Sequence, residues 1–267
     1  MEELKKKILN DIKKSGFLAE MKANQILVKS GWQNTHNAST FLDKDMEKSR
    51  EIDITTYKNK NDKEKNISLG IHLIIEVKKS DKPWIIFCQD RNAPINRGLG
   101  WGILNFADNV NRQNLQYNDI NLKNRHSNSL MFGTSYYEAF KEPSESSQVY
   151  SALMTSCKAS VFKKKQNSWE IEDKKYDPNK NHHVEFFLPI VVLEGLLFQS
   201  TLNEIGEIQL NQVNYAPIKL NYSSKNYKES TFYPEIVTMD GLQEHLEKID
   251  EWFDSLFIAL KNNIQIG

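Results

Sequence analysis

The most apolar stretch of the chain, residues 184–193, is the feature that most restricts how this protein can fold. Valine, isoleucine, leucine and phenylalanine make up most of it, and Glu194-Gly195 ends it. A strand with one solvated face alternates polar and apolar residues, whereas a strand covered on both faces reads as a nearly continuous apolar run. The stretch therefore predicts a central strand of a mixed sheet, with other elements packed against both faces. It is too short to cross a bilayer, which takes about 20 apolar residues in a helix.

Helical spacing of apolar residues predicts four helices around this sheet. The first two cover residues 2–14 and 16–30, and Gly31 ends the second. The buried side of the second helix is expected to consist of its largest apolar residues, Phe17, Met21, Leu27 and Val28. A third helix is predicted by a repeat of apolar residues, Val149, Leu153, Cys157 and Val161, and a fourth begins at Asp240. The whole pattern predicts an α/β fold in a single domain covering residues 1–267.

Two strands are predicted over residues 52–57 and 67–77, joined by a polar connection rich in asparagine and lysine. Residues at alternate positions of a strand share a face, and the apolar residues of the second strand occupy one face. Glu76 and Lys78 then point together to the other face. Asp53 lies on the neighbouring antiparallel strand. The pattern therefore predicts two carboxylates and an amine close together on one face of the sheet.

Such a group suits the hydrolysis of phosphodiester bonds. Mg²⁺ prefers oxygen ligands and is usually held by one or two carboxylates together with water and a substrate phosphate oxygen. The ion activates water and neutralises charge on the phosphate, and a neighbouring lysine can stabilise or orient the attacking group. A Glu-x-Lys sequence alone is a weak signal, because charged residues alternating along a strand usually mark a solvated face.

The order Arg50-Glu51-Ile52-Asp53 followed by Glu76-Val77-Lys78 resembles the signature of the PD-(D/E)XK nuclease superfamily. That signature is an aspartate on one strand and (Asp/Glu)-x-Lys on the next. Asp53, Glu76 and Lys78 match it, and Ile52 stands where the nominal proline of the family would be. The resemblance extends from Gly16 to Lys78, since the family often has a helix before these strands that contributes one acid.

The resemblance implies a restriction-endonuclease-like fold: a mixed sheet flanked by helices, here with extra strands and a C-terminal helix. It implies Glu20 as the acid of the preceding helix. Glu20, Asp53 and Glu76 would hold Mg²⁺ or Mn²⁺, Lys78 would join them in catalysis, and the substrate would be DNA rather than RNA. Glu51 shares the predicted face of Asp53 and is a further candidate ligand.

Composition narrows the class of protein. The formal net charge is zero, so a nucleic-acid surface has to be a local patch. Cys88 and Cys157 are the two cysteines, both in apolar surroundings, and are expected to be buried free thiols of a reducing compartment. The first residues lack the apolar core of a signal peptide. We expect a cytoplasmic protein that does not insert into a membrane.

Other features lead to weaker expectations. Residues 90–128 are expected to form an inserted loop region, and its glycine cluster lacks the Gly-Lys-Ser/Thr of a phosphate loop. Its arginines either contact a nucleic-acid backbone or belong to a solvated loop: Arg91, Arg97, Arg112 and Arg125. Gln148 is expected near the active site, as a polar residue of this helix is in some relatives. His182-His183 is expected in a loop rather than in a metal site.

Two functions of different classes remain open from the sequence. The first is a metal-dependent nuclease acting in restriction, repair or defence. The second is a non-catalytic nucleic-acid-binding or scaffolding protein that retains the nuclease fold. Whether the chain acts alone, as a homodimer or with a partner subunit is not determined by any pattern in the sequence.

Overall fold

The computed structural model describes residues 1–13, 15–32, 34–90, 104–108, 131–142, 144–167 and 180–263. This part of the chain contains four helices: α1 (Glu2–Ile12), α2 (Phe17–Lys29), α3 (Gln148–Asn167) and α4 (Leu242–Asn263). All four helices predicted from apolar spacing are therefore present. In the described ranges, no helix has both the length and the apolar character needed to span a membrane.

The larger of the two main sheets has seven strands: β1 (Asn34–Asp43), β2 (Lys48–Asp62), β3 (Ile67–Lys79), β5 (Leu104–Asp108), β7 (His182–Glu194), β10 (Tyr215–Pro217) and β13 (Glu235–Thr238). Their order is β1-β2-β3-β7-β13-β10, with β5 paired to β7. Strands β1, β2 and β3 are antiparallel neighbours, whereas β3, β7 and β13 run parallel. The predicted mixed α/β architecture with a multi-stranded sheet is confirmed.

Strand β7 occupies the centre of this sheet, as its apolar sequence predicts. It pairs with β3 along its whole length, from Ile67 opposite His182 to Lys79 opposite Glu194. Its other edge is divided between β5 and β13. Because β7 has neighbours on both edges and packed layers on both faces, few of its side chains reach solvent.

A second sheet contains four strands: β4 (Trp84–Asp90), β6 (Met131–Glu138), β8 (Leu197–Leu202) and β9 (Ile208–Gln212). Its order is β6-β4-β8-β9, with β4 and β8 parallel and the outer pairs antiparallel. Strand β4 follows β3 in the chain but belongs to this sheet and not to the one that contains β3. A two-residue pair, β11 (Leu220–Asn221) and β12 (Thr231–Phe232), completes the described strands.

The core has two large parts, one on each face of the larger sheet. One part joins β3 and β7 to α2 and α4. The other joins β7, β10 and β13 to α3 and the second sheet. Helix α3 is buried from Ala152 to Ser160. A helix enclosed in this way needs small or apolar residues on every side, which is why its apolar pattern is less one-sided than that of α4.

The buried side of α2 differs from the prediction. Phe17, Met21 and Val28 are exposed, and the residues that pack on the sheet are Ala19, Ala23 and Leu27. Helix-to-neighbour distance depends on the side chains at the contact, and alanine allows a close approach. The helix therefore presents mainly small residues to the strands. Leu27 is buried as predicted, whereas Phe17, Met21 and Val28 face solvent.

Two connections also differ from their prediction. Strand β2 continues to Asp62, so the solvated connection is limited to the turn at residues 63–66. His182 and His183 open β7 instead of lying in a loop, and His182 is buried. Within the predicted insertion, residues 104–108 form β5 in the larger sheet. The four arginines and the glycine cluster of that region lie outside the described residues.

Both cysteines are buried and have free thiols, as expected. Burial raises the pKa of the Cys88 thiol to about 11 and also raises the pKa of Cys157. The thiolate is the reactive form, so neither residue is suited to nucleophilic chemistry or to metal binding.

A buried lysine ties α3 to the turn between β1 and β2. The Nζ atom of Lys158 lies 2.9 Å from Asp43 Oδ1 and 2.9 Å from Asp45 Oδ2. The ring centroids of Tyr222 and Tyr227 lie 5.1 and 5.3 Å from the ammonium. Burial alone would lower the pKa of Lys158, but hydrogen bonds to the two aspartates outweigh it and raise the pKa.

The two aspartates have further partners, so the buried charges are compensated. Asp43 Oδ2 lies 3.1 Å from Arg50 Nε. Asp45 accepts hydrogen bonds from the Tyr222 and Ser224 hydroxyls and from the Asn226 side chain. A buried ion pair with its remaining atoms satisfied holds elements in one arrangement, and removing one partner is costly.

Candidate active site at the end of β3

Glu76 and Lys78 lie at the C-terminal end of β3, and their side chains contact each other. Lys78 Nζ lies 2.5 Å from Glu76 Oε1. The residues at alternating positions of β3 belong to the main core: Ile71, Leu73, Ile75 and Val77. The alternation predicted from the sequence is therefore confirmed. Glu76 is only 6% exposed, whereas Lys78 is partly open to solvent.

Asp53 lies on β2 at the point where β2 and β3 separate. The paired positions of the two strands begin with Ile54 opposite Ile75. Beyond that pair the Asp53 carboxylate accepts a hydrogen bond from the backbone N–H of Val77, with a distance of 2.7 Å. The side chain thus takes the place of a strand carbonyl, and it carries its negative charge to the end of β3.

Strand β2 rotates at Asp53. Residues two positions apart on a regular strand share a face, yet Ile52 packs with residues of α3 whereas Ile54 belongs to the core with α2. On β1, Ala38 lies between the positions that pair with Ile52 and Ile54, and its φ is +54°, which is uncommon for a residue with a Cβ. This local irregularity changes the direction in which the Asp53 carboxylate points.

Glu20 approaches the same place from α2. Burial raises its pKa, and the negative charges of Asp53 and then Glu51 raise it further, while Lys78 acts in the opposite direction. An ion pair between Lys22 of α2 and Glu194 at the end of β7 holds the helix there. Charge interactions therefore link the four predicted site residues, and the charge of Glu51, the further candidate, acts on Glu20 and Asp53.

Among the three carboxyl groups, Glu76 has the pKa that is shifted most. Burial is the main cause, and it raises the pKa of Glu76 to about 7; Lys78 lowers the value, while Asp53 and Glu20 raise it. Burial also raises the pKa of Asp53, and its hydrogen bond from Val77 lowers it. Several carboxylates that raise each other's pKa values in one cleft are costly unless a cation neutralises them. Such groups are candidates for a functional site.

The donor set suits a hard divalent cation. Three carboxylates offer oxygen only, which Mg²⁺ and Mn²⁺ prefer to nitrogen and sulfur. Glu76 Oε2 is buried without a hydrogen-bond partner. A buried oxygen with no partner lowers the stability of the fold, and a bound cation would supply the missing partner. In the described ranges, however, no three acidic, histidine or cysteine side chains are arranged to hold an ion as they stand. The carboxylates would have to move closer together to share one.

Sequence reasoning missed the groups that position the site. The N–H of Val77 orients Asp53, and the ion pair of Lys22 with Glu194 anchors the helix that carries Glu20. The sequence offered one signal for Glu194, which is a charged residue directly after the apolar run of residues 184–193. Gln148 is exposed at the start of α3, where its N–H donates to the Glu138 carboxylate. The expected position of Gln148 near the active site stays a prediction.

A second ionisable group lies toward the other end of β3 and β7. Glu185 Oε1 lies 3.1 Å from His183 Nε2, and Glu185 Oε2 lies 3.4 Å from His72 Nε2. The imidazole of His72 stacks on Phe187, with ring centroids 4.7 Å apart. Both imidazoles face the same carboxylate, so this group links β3 to β7.

Comparisons of the chain with protein-family models, with curated proteins and with solved structures found no match. The function of the site therefore has to be argued from its own residues and their geometry.

Proposed function

We propose that this protein is a metal-dependent nuclease that hydrolyses phosphodiester bonds in DNA, with a restriction-endonuclease-like fold. The observation that supports the proposal is the contact of Lys78 with the buried Glu76 at the end of β3, together with the charge interactions that link both residues to Glu20 and Asp53. These residues come from one helix and two strands, in the order in which the nuclease signature has them. A mixed sheet with helices on both faces is compatible with that fold.

In this proposal Glu20, Asp53 and Glu76 hold Mg²⁺ or Mn²⁺, and Glu51 is a further candidate ligand. When bound, the ion supplies Lewis-acid activation of water and neutralises charge that develops on the phosphate. The chain contributes the placement of the carboxylates: the N–H of Val77 holds Asp53, and the burial of Glu76 keeps its unpartnered oxygen away from bulk water.

Lys78 has the role of an electrostatic group. An ammonium has three donors and no acceptor, so it cannot be a metal ligand. In the structure it donates to Glu76 Oε1. With substrate bound, its amine would orient the attacking water or donate to the phosphate oxygens. Its contact with Glu76 keeps that amine at the end of β3.

The alternative is a non-catalytic binding or scaffolding protein with the same fold. A purely structural site would have no need for a buried carboxylate with one oxygen unpartnered. The position of Glu76 therefore supports the enzyme over the scaffold.

The direct test is cleavage of supercoiled plasmid and of single-stranded DNA with Mg²⁺ or Mn²⁺, with and without EDTA. Cleavage that requires the ion and stops on chelation is the expected result. A matching single-stranded RNA tests the preference for DNA. Isothermal titration of the ion into the protein without DNA measures binding separately from turnover. Absence of both ion binding and cleavage would refute the proposal.

Lys78→Ala is expected to lower the initial cleavage rate by about a hundredfold, equivalent to about 2.7 kcal/mol, with ion binding retained. The cause is the loss of one well-placed cation at the reacting phosphate. Lys79→Ala is the matched control, because the adjacent Lys79 donates instead to the carbonyl of Lys13 at the end of α1. It should cleave at nearly the wild-type rate. An active Lys78→Ala with an inactive Lys79→Ala would contradict the assignment.

A further inference from the structure

Strand β9 has an open edge. It is the last strand of the second sheet, and one of its edges pairs with β8 while the other has no partner strand among the described residues. All five of its residues, Ile208–Gln212, are exposed. Proteins usually protect such an edge with lysine, proline or a bulge. Strand β9 has no charged residue and no proline, and its pairing with β8 is regular.

The hydrogen bonds to β8 show which groups of β9 face outward. Two bonds flank the pairing: from the Asn203 N–H to the Glu207 carbonyl (2.9 Å) and from the Val213 N–H to the Leu197 carbonyl (3.0 Å). In an antiparallel pair, bonded and non-bonded positions alternate. The backbone groups of Gln209 and Asn211 therefore bond to β8. Those of Ile208, Leu210 and Gln212 point to the open edge.

The same strand carries exposed apolar side chains. Ile208 and Leu210 alternate along β9, so they share a face, and they are 73% and 51% exposed. Leu202 of β8 lies opposite Ile208 and is 68% exposed. Cross-strand neighbours are close in space. The edge therefore combines outward-facing backbone groups with an adjoining aliphatic surface.

The hairpin that presents this edge is held by its turn. Asn203 Oδ1 accepts hydrogen bonds from the N–H groups of Ile205 and Glu207, at 3.1 and 2.8 Å. Gly206 has φ +82°, a conformation that glycine adopts without strain. A turn satisfied in this way orders the strand before any partner binds, which reduces the entropy lost on association.

We propose that β9 is the interface of a symmetric dimer, in which it pairs antiparallel with β9 of a second copy of this chain. With the two-fold axis at Leu210, Ile208 of each copy lies opposite Gln212 of the other. Every outward-facing N–H of the strand then meets a carbonyl, and the two sheets become one continuous sheet. The aliphatic side chains of both copies meet on one face.

A second copy suits this edge better than a charged peptide does. The strand is neutral, so it offers no attraction to an acidic or basic partner. In the symmetric register Glu207 lies opposite Val213 of the other copy, so no like charges meet. An interface of this kind uses the same patch on both subunits. The inference rests on the edge alone and does not depend on the proposed nuclease activity.

The test is the mass of the full chain in solution, measured by light scattering and by sedimentation velocity over a range of concentrations. The wild type is expected to reach twice the 31.1 kDa of one chain. Leu210→Lys places two lysines against each other at the axis, and it should raise the dissociation constant by on the order of tenfold or more. Ile258→Lys removes an exposed apolar residue of α4 and is the matched control, expected to dimerise normally.

A charge-swap experiment separates loss of the interface from loss of the fold. Leu210→Glu alone should weaken the dimer in the same way, whereas an equal mixture of Leu210→Lys and Leu210→Glu should form a mixed dimer. The backbone of residue 210 is not used in bonding to β8, so circular dichroism of both variants should match that of the wild type. A wild type that stays monomeric, or a dimer that Leu210→Lys leaves intact, would overturn the proposal.

Discussion

Glu76→Gln is expected to abolish metal-dependent cleavage and, in the same protein, to make the fold more stable at neutral and alkaline pH. Glutamine has nearly the shape of glutamate but no negative charge, so its amide oxygen is a much weaker ligand for Mg²⁺ than a carboxylate is. It also removes a charge from a position that is 6% exposed and surrounded by other acids. Functional sites commonly keep groups that lower stability. A gain in stability with a loss of activity identifies such a group.

The pH dependence follows from the direction of the shift. The pKa of Glu76 is about 7 in the folded protein, against 4.5 for an ordinary glutamate. Between these values the folded state keeps a proton that the unfolded state releases, so stability falls as pH rises through this window. Below the lower value both states are protonated, and the effect is absent. A shift of one pKa unit corresponds to about 1.4 kcal/mol. The free energy of unfolding of the wild type therefore falls by about 3 kcal/mol across this window, and that of the glutamine variant does not.

The measurement is urea unfolding of both proteins in EDTA at several pH values from about 4 to 8. The variant's advantage in free energy of unfolding should grow by about 3 kcal/mol across this range. Added Mg²⁺ should stabilise the wild type and not the variant, because only the wild type retains the ligand. A stability difference that does not change with pH would show that Glu76 is ionised at its usual pKa. Retained cleavage by Glu76→Gln would place the chemistry elsewhere.

Lys158→Met is expected to lower the free energy of unfolding by about 3–5 kcal/mol, the usual result of removing one partner of a buried ion pair. Asp43 and Asp45 would lose the ammonium that lies 2.9 Å from each of them. Methionine fills a similar volume, so the loss reports the uncompensated charge rather than a cavity. Urea or thermal unfolding, followed by circular dichroism, measures it.

Lys164→Met provides the matched control on the same helix. Lys164 lies 3.7 Å from Glu229 and is partly exposed, so losing this contact should cost less than about 1 kcal/mol. Adding Asp43→Asn and Asp45→Asn to Lys158→Met should recover part of the stability, because the carboxylates are then no longer buried charges. A Lys158→Met variant as stable as the control would show that the lysine is dispensable.

Local patterns in the sequence were sufficient to predict several elements. The unbroken apolar run of β7 required cover on both faces, and the structure provides it with α2 and α4 on one face and α3 with the second sheet on the other. The period of two in β3 placed Glu76 and Lys78 on the same side, where their side chains are in contact. The spacing of apolar residues along one strand or helix reflects which side of that element is buried. A single segment of sequence is therefore enough to predict it.

Tertiary structure alone decided which residues of α2 face the core and in which direction the Asp53 carboxylate points. Helix α2 packs through Ala19, Ala23 and Leu27, whereas Phe17, Met21 and Val28 are exposed, because the small alanine side chains allow the helix to lie close to its neighbours. The rotation of β2 at Asp53 depends on β1 and on the separation from β3, and no local period encodes it. The burial of Lys158 depends on its ion pair with Asp43, 115 residues away in the chain. These features arise from contacts between distant segments, and sequence spacing carries no record of them.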